Sequence, residues 1–272
     1  MDIRDRVFVV TGGGNGIGRE VVLHLLASGG RVAAVDLREE SLAQTRVLAD
    51  SGADEVGDRL TTHAVDVTDR AAVEALAQEV TAAHGQVDGL LNVAGVIQPF
   101  VPVADLDYEA MERVMGVNFW GVVHTCKAFL PLLQARPEAC VVNVSSMGAL
   151  APVPGQSVYG ASKAAVKLFT EGLYAECHDT PVRVTVVFPG AIATSITANS
   201  GVTVPGAEAR ASDAAGRTTS ADEAARQIVT AVEQGPYRLT IGRDAAMLDR
   251  LSRLAPRRAT EMIAKKMAQL LG

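Results

Sequence analysis

The feature that most constrains the fold is an alternation of short β-branched runs with longer stretches of helical periodicity. The runs are apolar at consecutive positions, which is typical of parallel strands covered on both faces. Strands that alternate with helices form βαβ units, whose crossovers are right-handed. The predicted strands are residues 7–11, 31–36, 60–67, 89–93, 140–145, 182–188 and 237–241. The sequence therefore predicts an α/β fold: a single doubly wound domain with a seven-stranded parallel sheet and helices on both faces.

Two stretches depart from this alternation. Residues 191–219 are small and polar, with several Gly and Pro, and predict a long loop that could serve as a lid. Residues 244–272 predict a helical C-terminal extension of the domain formed by residues 1–243, and this extension is rich in Arg and Lys. Two interpretations of this basic tail stay open: its Leu and Met residues pack against the body or another subunit, which we favour, or it contacts an acidic membrane surface.

Composition and charge exclude several classes of protein. The chain is 48% hydrophobic, enough to bury a core without disulfides or metals. Its 25 basic and 31 acidic residues give a net charge of −6, which argues against nucleic acid as a partner. Cys126, Cys140 and Cys177 are scattered and form neither a disulfide framework nor a metal-ligand pattern. We therefore expect a cytoplasmic protein without a bound metal.

A glycine-rich loop follows the first predicted strand. It includes Gly12, Asn15, Gly16, Ile17 and Gly18, and a helix is predicted to begin directly after it. Glycines let the backbone approach a pyrophosphate closely, and the N-terminus of the next helix attracts the anion. Because strand, loop and helix occur in this order, the segment predicts a dinucleotide site rather than an ordinary tight turn.

An acidic residue, Asp36, ends the second predicted strand. A carboxylate at this place accepts hydrogen bonds from ribose hydroxyls and repels a 2′-phosphate. Asn15 and Leu37 offer no cation to a phosphate, and Arg38 is the nearest candidate. The residues therefore favour NAD over NADP as the coenzyme, with NADP as the alternative.

Tyr159 and Lys163 stand four residues apart at the start of an Ala-rich helix. Residues at i and i+4 share one helical face, so both side chains can reach the same ligand. With the glycine spacing Gly-x-x-x-Gly-x-Gly, this Tyr-x-x-x-Lys pair resembles the short-chain dehydrogenase/reductase (SDR) superfamily. The resemblance covers residues 6 to about 195 and implies a Rossmann-like fold. Val93 departs from it, since the family's Asn-Asn-Ala-Gly motif has a second Asn there.

The resemblance also implies the roles of individual residues. Asn118, Ser146, Tyr159 and Lys163 correspond to the family's catalytic tetrad. Asp66 and Val67 correspond to residues that contact the adenine, and Thr194 to one that binds the nicotinamide carboxamide. The positions expected to bind coenzyme are Gly12, Asn15, Gly16, Ile17, Gly18, Asp36, Asp66, Val67, Asn92, Ala94, Gly95, Tyr159, Lys163, Pro189, Gly190, Ile192 and Thr194. The family also predicts a homodimer, often doubled to a homotetramer, built on the helices that carry Asn118 and Tyr159.

These residue types suit hydride exchange between a nicotinamide and a secondary alcohol or ketone. Tyr159 would act as the general acid/base, because a nearby ammonium and the positive nicotinamide ring favour its phenolate. Ser146 would hydrogen-bond the substrate oxygen, and Asn118 would hold a proton-relaying water. Mostly apolar predicted walls (Val96, Ile97, residues 147–154, Gln156 and the loop 191–219) indicate a neutral, fairly hydrophobic substrate.

Other functions remain open at this stage. An NADP-dependent carbonyl or 3-oxoacyl reductase would use the same tetrad. A non-catalytic nucleotide-sensing protein would have no chemical reason to keep all four residues. An epimerase or dehydratase is disfavoured by the glycine spacing and by the small size of the C-terminal extension.

Overall fold

The computed structural model describes residues 1–52, 56–202 and 218–271, and it contains a seven-stranded sheet. All of its strand pairs are parallel, in the order β3-β2-β1-β4-β5-β6-β9. These strands are β1 (Val7–Thr11), β2 (Arg31–Asp36), β3 (Leu60–Ala64), β4 (Gly89–Asn92), β5 (Ala139–Val144), β6 (Val182–Pro189) and β9 (Arg238–Ile241). A separate parallel pair joins β7 (Ile192–Ala193) to β8 (Thr219–Ser220).

Helices cover both faces of the sheet, as the sequence predicted. They are α1 (Gly16–Ala27), α2 (Glu39–Asp50), α3 (Arg70–His84), α4 (Tyr108–Met115), α5 (Gly121–Gln134), α6 (Ser157–Glu176), α7 (Ile196–Asn199), α8 (Ala221–Gln234), α9 (Arg243–Leu254) and α10 (Pro256–Leu271). One apolar core joins the sheet to α1, α2 and α8, and a second joins its other face to α3, α5 and α6. The predicted doubly wound, Rossmann-like architecture is therefore confirmed.

The third strand is shorter than the sequence indicated. It was predicted over residues 60–67 but ends at Ala64. Asp66 Oδ1 accepts hydrogen bonds from the Thr68 backbone N–H and hydroxyl, each at 2.8 Å. This local turn redirects the chain before the apolar run is complete. Strands β4, β6 and β9 differ from their predicted bounds by one residue at one end, and β5 differs by one residue at each end.

The C-terminal extension packs onto the body of the protein. Leu248 of α9 and Ala259 of α10 are buried together with Ala151, in the segment that follows β5. This packing agrees with the interpretation in which the tail's apolar residues face the body. Within the part of the chain that the structure describes, no helix is both long and apolar enough to cross a membrane.

Candidate active site

A cleft of about 770 Å³ lies at the carboxyl ends of the strands, where the chain winds in opposite directions from β1 and β4. Such a switch point is where open α/β sheets bind ligands. The cleft is lined by all but one of the residues that the sequence assigns to coenzyme binding. They are Gly12, Asn15, Gly16, Ile17, Gly18, Asp36, Asp66, Val67, Ala94, Gly95, Tyr159, Lys163, Pro189, Gly190, Ile192 and Thr194.

The glycine loop between β1 and α1 has no room for side chains. Gly12 has a φ of +72°, and a Cβ there would lie 2.9 Å from the backbone of Ala94. A Cβ at Gly18 would lie 2.1 Å from the Gly12 carbonyl oxygen. Asn15 caps α1, because its Oδ1 accepts the Gly16 N–H at 2.7 Å. The N-terminus of α1 thus faces the cleft at a place where a phosphate can approach the backbone.

Asp36 is held rigidly at the end of β2. Its Oδ2 accepts the Gly14 N–H at 3.1 Å and its Oδ1 accepts the Arg38 N–H at 3.2 Å. Arg38 also lines the cleft, where its Nη2 donates to Asn199 Oδ1 at 2.8 Å. The carboxylate at this end of the cleft is therefore fixed, and the neighbouring cation is bonded to α7.

Tyr159 and Ser146 meet at the opposite end of the cleft. Tyr159 lies in the first turn of α6, and Ser146 follows β5. Burial raises the pKa of the Tyr159 phenol, while a hydrogen bond with Ser146 acts in the opposite direction. The Gly148 N–H donates to Ser146 Oγ at 3.0 Å, which leaves the serine hydroxyl proton free to be donated.

Lys163 lies along the same face of α6 and is only 3% exposed. Its Nζ donates to the Val144 carbonyl oxygen at 3.0 Å. Burial lowers the pKa of this ammonium to about 8. Gly95 is in close contact with it, because a Cβ at Gly95 would lie 3.1 Å from Lys163 Nζ and 3.3 Å from Asn118 Oδ1. A side chain at Gly95 would crowd both groups, so glycine lets the loop after β4 lie close to the ammonium.

Asn118 is fully buried and does not line the cleft. It lies in a single π-helical turn, Gly116–Trp120, between α4 and α5. Its Oδ1 accepts the Val96 N–H at 2.8 Å, and its Nδ2 donates to the Val96 carbonyl at 2.9 Å and to Ser162 Oγ at 3.0 Å. π-turns are rare in proteins, and those that occur are often found at functional sites. Here it directs the amide of Asn118 onto the chain that follows β4.

Asn92 differs from its prediction as a coenzyme contact. Its side chain lies outside the cleft, where its Nδ2 donates to Asn143 Oδ1 at 2.9 Å and its Oδ1 accepts the Thr125 hydroxyl at 2.8 Å. These bonds join β4 to β5 and α5, so the Asn92 side chain fixes the end of β4 from outside the cleft. The next residues reach the cleft instead: the N–H groups of Val93 and Ala94 donate to Thr11 Oγ1 at 3.1 and 3.2 Å.

Gln98 supports the catalytic helix and was missed from the sequence. It is fully buried, and its Oε1 accepts the N–H groups of Val158 and Tyr159 at 2.8 and 2.9 Å. Its Nε2 donates to the Gly155 carbonyl at 3.0 Å. Gln98 therefore caps α6 from a distant part of the chain, and no local sequence signal could have identified it.

The first residues of the predicted lid are anchored beside the cleft by hydrogen bonds. Ser200 Oγ accepts the Ile97 N–H at 3.0 Å, and Arg113 Nη1 donates to the Ser200 carbonyl at 3.1 Å. Of the predicted substrate walls, Val96 lines the cleft, whereas Ile97 and Gln156 are buried outside it. Residues 203–217 of the lid lie outside the described residues. Ile196 and Asn199 of the predicted loop 191–219 line the cleft. Eight further lining residues were not singled out as site residues from the sequence: Val65, Thr68, Glu112, Arg113, Gly116, Val117, Val144 and Ser145.

Within residues 1–52, 56–202 and 218–271, no group of three or more His, Cys, Asp or Glu side chains could hold a metal ion. The donor set of the cleft instead fits a dinucleotide: a backbone cradle without Cβ atoms, a helix N-terminus and a fixed carboxylate at the end of β2.

Comparison with known proteins agrees with this geometry. Residues 6–204 match the short chain dehydrogenase family. The chain is 38% identical to SadH of Mycobacterium tuberculosis (strain ATCC 25618 / H37Rv), named as an oxidoreductase, over 97% of this chain and 96% of SadH. It is 34% identical to 1-deoxy-11-beta-hydroxypentalenate dehydrogenase of Streptomyces avermitilis, over 90% of this chain and 87% of that one.

A solved structure has the same fold. It is a short chain dehydrogenase/reductase from Burkholderia phymatum in complex with NAD, with a TM-score of 0.84 and 24% identity over 96% of this chain and 97% of that chain. The fold, the family match and the relatives lead to one conclusion. This chain belongs to the short-chain dehydrogenase/reductase superfamily and is an NAD(P)-dependent oxidoreductase that acts on CH–OH groups.

Proposed function

We propose that the protein is an NAD-dependent dehydrogenase that exchanges a hydride between nicotinamide and a secondary alcohol or ketone, with Tyr159 as general acid/base. The observation that carries this proposal is the single cleft that holds Ser146, Tyr159 and Lys163 at one end and the fixed Asp36 carboxylate at the other. When bound, the nicotinamide supplies the hydride acceptor or donor. The chain's own residues have to hold it, orient the substrate and move one proton.

The proton is moved by the phenol of Tyr159. In alcohol oxidation the phenolate takes the hydroxyl proton, and in ketone reduction the phenol returns it. Ser146 donates its hydrogen bond to the substrate oxygen, where negative charge develops. Asn118 stabilises this arrangement from outside the cleft. Its Oδ1 accepts the Val96 N–H, and its Nδ2 donates to the Ser162 hydroxyl.

The protein surroundings of Tyr159 oppose its ionisation, since burial raises the pKa of the phenol. Lowering this pKa by about three units requires about 4 kcal/mol of differential stabilisation. The Lys163 ammonium and the oxidised nicotinamide ring are the positive charges that can supply it in a partly dry cleft. The basic form of Tyr159, the phenolate, is therefore populated near neutral pH only when coenzyme and lysine charge are both in place.

Preference for NAD is supported by Asp36. Its carboxylate is suited to ribose hydroxyls and repels a 2′-phosphate. Arg38, the nearest cation in the sequence, donates to Asn199 and is therefore already engaged.

A neutral, fairly hydrophobic substrate is supported by the apolar residues of the cleft wall. Val96, Val117, Ile192 and Ile196 all line the cleft. Apolar walls with a few polar groups are typical of sites for such ligands. The Streptomyces relative is named as the dehydrogenase of a hydroxypentalenate, a hydroxylated carboxylate, so that relative supports an alcohol as substrate but not its neutrality.

Tyr159→Phe tests the proposal. A screen of secondary alcohols and ketones with NADH fluorescence first identifies a substrate for the parent protein. We expect the variant to bind NADH about as tightly as the parent but to lose at least a hundredfold in kcat. Tyr174→Phe is the control, because Tyr174 packs against Tyr237 away from the cleft. Near-normal turnover by Tyr159→Phe would overturn the assigned role.

A further inference from the structure

Asp244 connects the C-terminal extension to the wall of the cleft. It lies in the first turn of α9, and its Oδ2 accepts the Ala191 N–H at 2.8 Å. Ala191 follows Pro189 and Gly190, two residues that line the cleft where β6 ends. A residue of the tail thus bonds directly to the backbone of a cleft-forming segment.

Two glycines leave space for this carboxylate. A Cβ at Gly190 would lie 2.1 Å from Asp244 Oδ1, and a Cβ at Gly242 would lie 2.5 Å from the same atom. Gly242 also has a φ of +94°, which side-chain-bearing residues rarely adopt. The backbone is therefore shaped around the carboxylate on both sides, which fixes the carboxylate's position.

The hydrogen bond between Ala191 and Asp244 lies only three residues along the chain from Thr194, which lines the cleft. The Ala191 carbonyl accepts the Thr219 N–H at 3.0 Å, and Ile192 pairs with Thr219 in the β7–β8 ladder. Thr194 follows directly and lies against the glycine loop, 3.6 Å from where a Gly16 Cβ would be. Asp244 and Thr219 therefore hold the segment 191–194 from its two sides.

Helix α9 provides a firm base for Asp244. Ala245 and Leu248 on this helix are buried, and Leu248 packs against the segment after Ser146. The same helix thus contacts both sides of the site, one through packing near Ser146 and the other through the Asp244 hydrogen bond.

We propose that Asp244 is a positioning residue for the nicotinamide end of the coenzyme and acts through Ala191 and Thr194. This inference rests on the proposed function and on the role of Thr194 in binding the nicotinamide carboxamide, which the sequence resemblance implies. It makes α9 part of the coenzyme site, although the helix lies beyond the family match at residues 6–204.

The test compares two ligands that share the adenosine diphosphate ribose but differ in the nicotinamide. Binding of NADH and of ADP-ribose is measured for the parent, Asp244→Ala and Asp244→Asn. We expect Asp244→Ala to weaken NADH about tenfold, as for the loss of one charge-assisted hydrogen bond, and to leave ADP-ribose unchanged. Asp244→Asn keeps an acceptor for the Ala191 N–H and should restore most of the NADH affinity.

Asp249→Ala is the matched control on the same helix. Asp249 pairs with Arg238 and Arg253 and makes no contact with the segment 191–194 among its described bonds. We expect Asp249→Ala to change stability but to leave the ratio of the affinities for NADH and ADP-ribose as in the parent. Equal effects of Asp244→Ala on both ligands, or no effect on either, would overturn the inference.

A double-mutant cycle tests the path. If Asp244 acts through Thr194, the losses in NADH affinity from Asp244→Ala and Thr194→Ala should not add, because the second change removes a contact already lost. Fully additive losses would overturn the path. Failure of the parent protein to bind NADH at all would instead contradict the proposed function, so the two failures are distinguishable.

Discussion

Lys163 is a buried cation whose charge is disfavoured by its surroundings. Its pKa is lowered to about 8 from the ordinary value of 10.5, and its described bond is to one backbone carbonyl, that of Val144. Below pH 8 the folded protein therefore holds a charge that water would solvate better. This residue illustrates how an active site keeps a group that does not favour the folded state.

We predict that Lys163→Met abolishes turnover without lowering stability at pH 7. The variant removes a buried ammonium. The free-energy cost of burying this charge exceeds the stabilisation that one hydrogen bond to a carbonyl provides. Urea denaturation of parent and variant measures the difference. A variant less stable than the parent by more than about 1 kcal/mol would contradict this explanation.

The same variant gives a pH dependence with a definite sign. Between pH 8 and 10.5 the unfolded chain keeps its lysine proton while the folded protein loses it, so raising the pH stabilises the parent. The advantage of Lys163→Met should therefore be constant below pH 8 and disappear as the pH rises towards 10.5. An advantage that grows with pH over this window would refute the assignment.

Substitutions can separate the support that Asp36 gives to the glycine loop from its proposed part in coenzyme preference. Asp36→Asn removes the charge but keeps one acceptor oxygen for the Gly14 N–H, whereas Asp36→Ala also removes the support of the glycine loop. We predict that Asp36→Asn lowers the preference for NAD over NADP about tenfold with little change in melting temperature. Asp36→Ala should in addition weaken NAD itself. Comparison of kcat/KM for both coenzymes is the measurement, and a parent that prefers NADP would contradict the prediction.

Residues that touch the cleft were more predictable than residues that support it. Gly12, Asp36 and Tyr159 follow from local patterns, because phosphate approach, ribose recognition and the i, i+4 pair are each set within a few positions. The orientation of the Asn92 side chain did not follow from its position, since the direction of a side chain at a strand end depends on its partners Asn143 and Thr125. Those partners lie on other elements and leave no trace in the local sequence.

At the scale of elements, α6 carries Tyr159 and Lys163 and depends on Gln98 for its beginning. The first N–H groups of a helix lack intrahelical partners, and Gln98 Oε1 accepts two of them. One of these two is the backbone N–H of Tyr159, the proposed general acid/base. The orientation of the phenol is thus tied to a side chain that follows β4.

We predict that Gln98→Ala destabilises the protein by about 2–4 kcal/mol, because it leaves two buried donors unpaired and opens a cavity. Gln98→Met keeps most of the volume but has no acceptor for these N–H groups, so it should recover only the part of the loss that comes from the cavity. Urea denaturation measures both variants. A Gln98→Met variant as stable as the parent would show that volume rather than capping determines the cost.

The order of elements was predictable from the sequence, but their ends were less so. Buried parallel strands are recognised by their apolar runs, and the seven predicted runs match the seven strands of the sheet. The end of β3 was missed because Asp66 and Thr68 form a turn that competes with the strand. The predicted helix around Asn118 contains a π-turn, which hydrophobic periodicity does not report.

At the scale of the whole molecule, an exposed apolar stripe runs along α6. Leu168 is 69% exposed, and Ala161, Gly172 and Ala175 lie exposed on the same helical face. Trp120, at the start of α5, is 51% exposed. Contiguous exposed apolar surface on a folded protein marks an interaction site. This surface lies on the helices for which the sequence resemblance predicts subunit contact.

We predict that the protein is a homodimer or homotetramer and that Leu168→Glu dissociates it, because a charge would be buried in the contact. Light scattering after size-exclusion chromatography measures the mass. Val47→Glu is the control, since Val47 is exposed on α2, away from this surface. A monomeric parent, or a Leu168→Glu variant with the parent's mass, would contradict the prediction.

The π-turn at Gly116–Trp120 has a consequence for how this chain tolerates changes in length. Each residue of an α-helix advances about 100° around the axis, so deleting one residue here would let α4 and α5 join as one regular helix. Asn118 could then still meet Val96 only if one of the two helices rotated by about 100° out of its own packing. A single-residue deletion would thus improve the local hydrogen bonding of the backbone and damage the site at the same time.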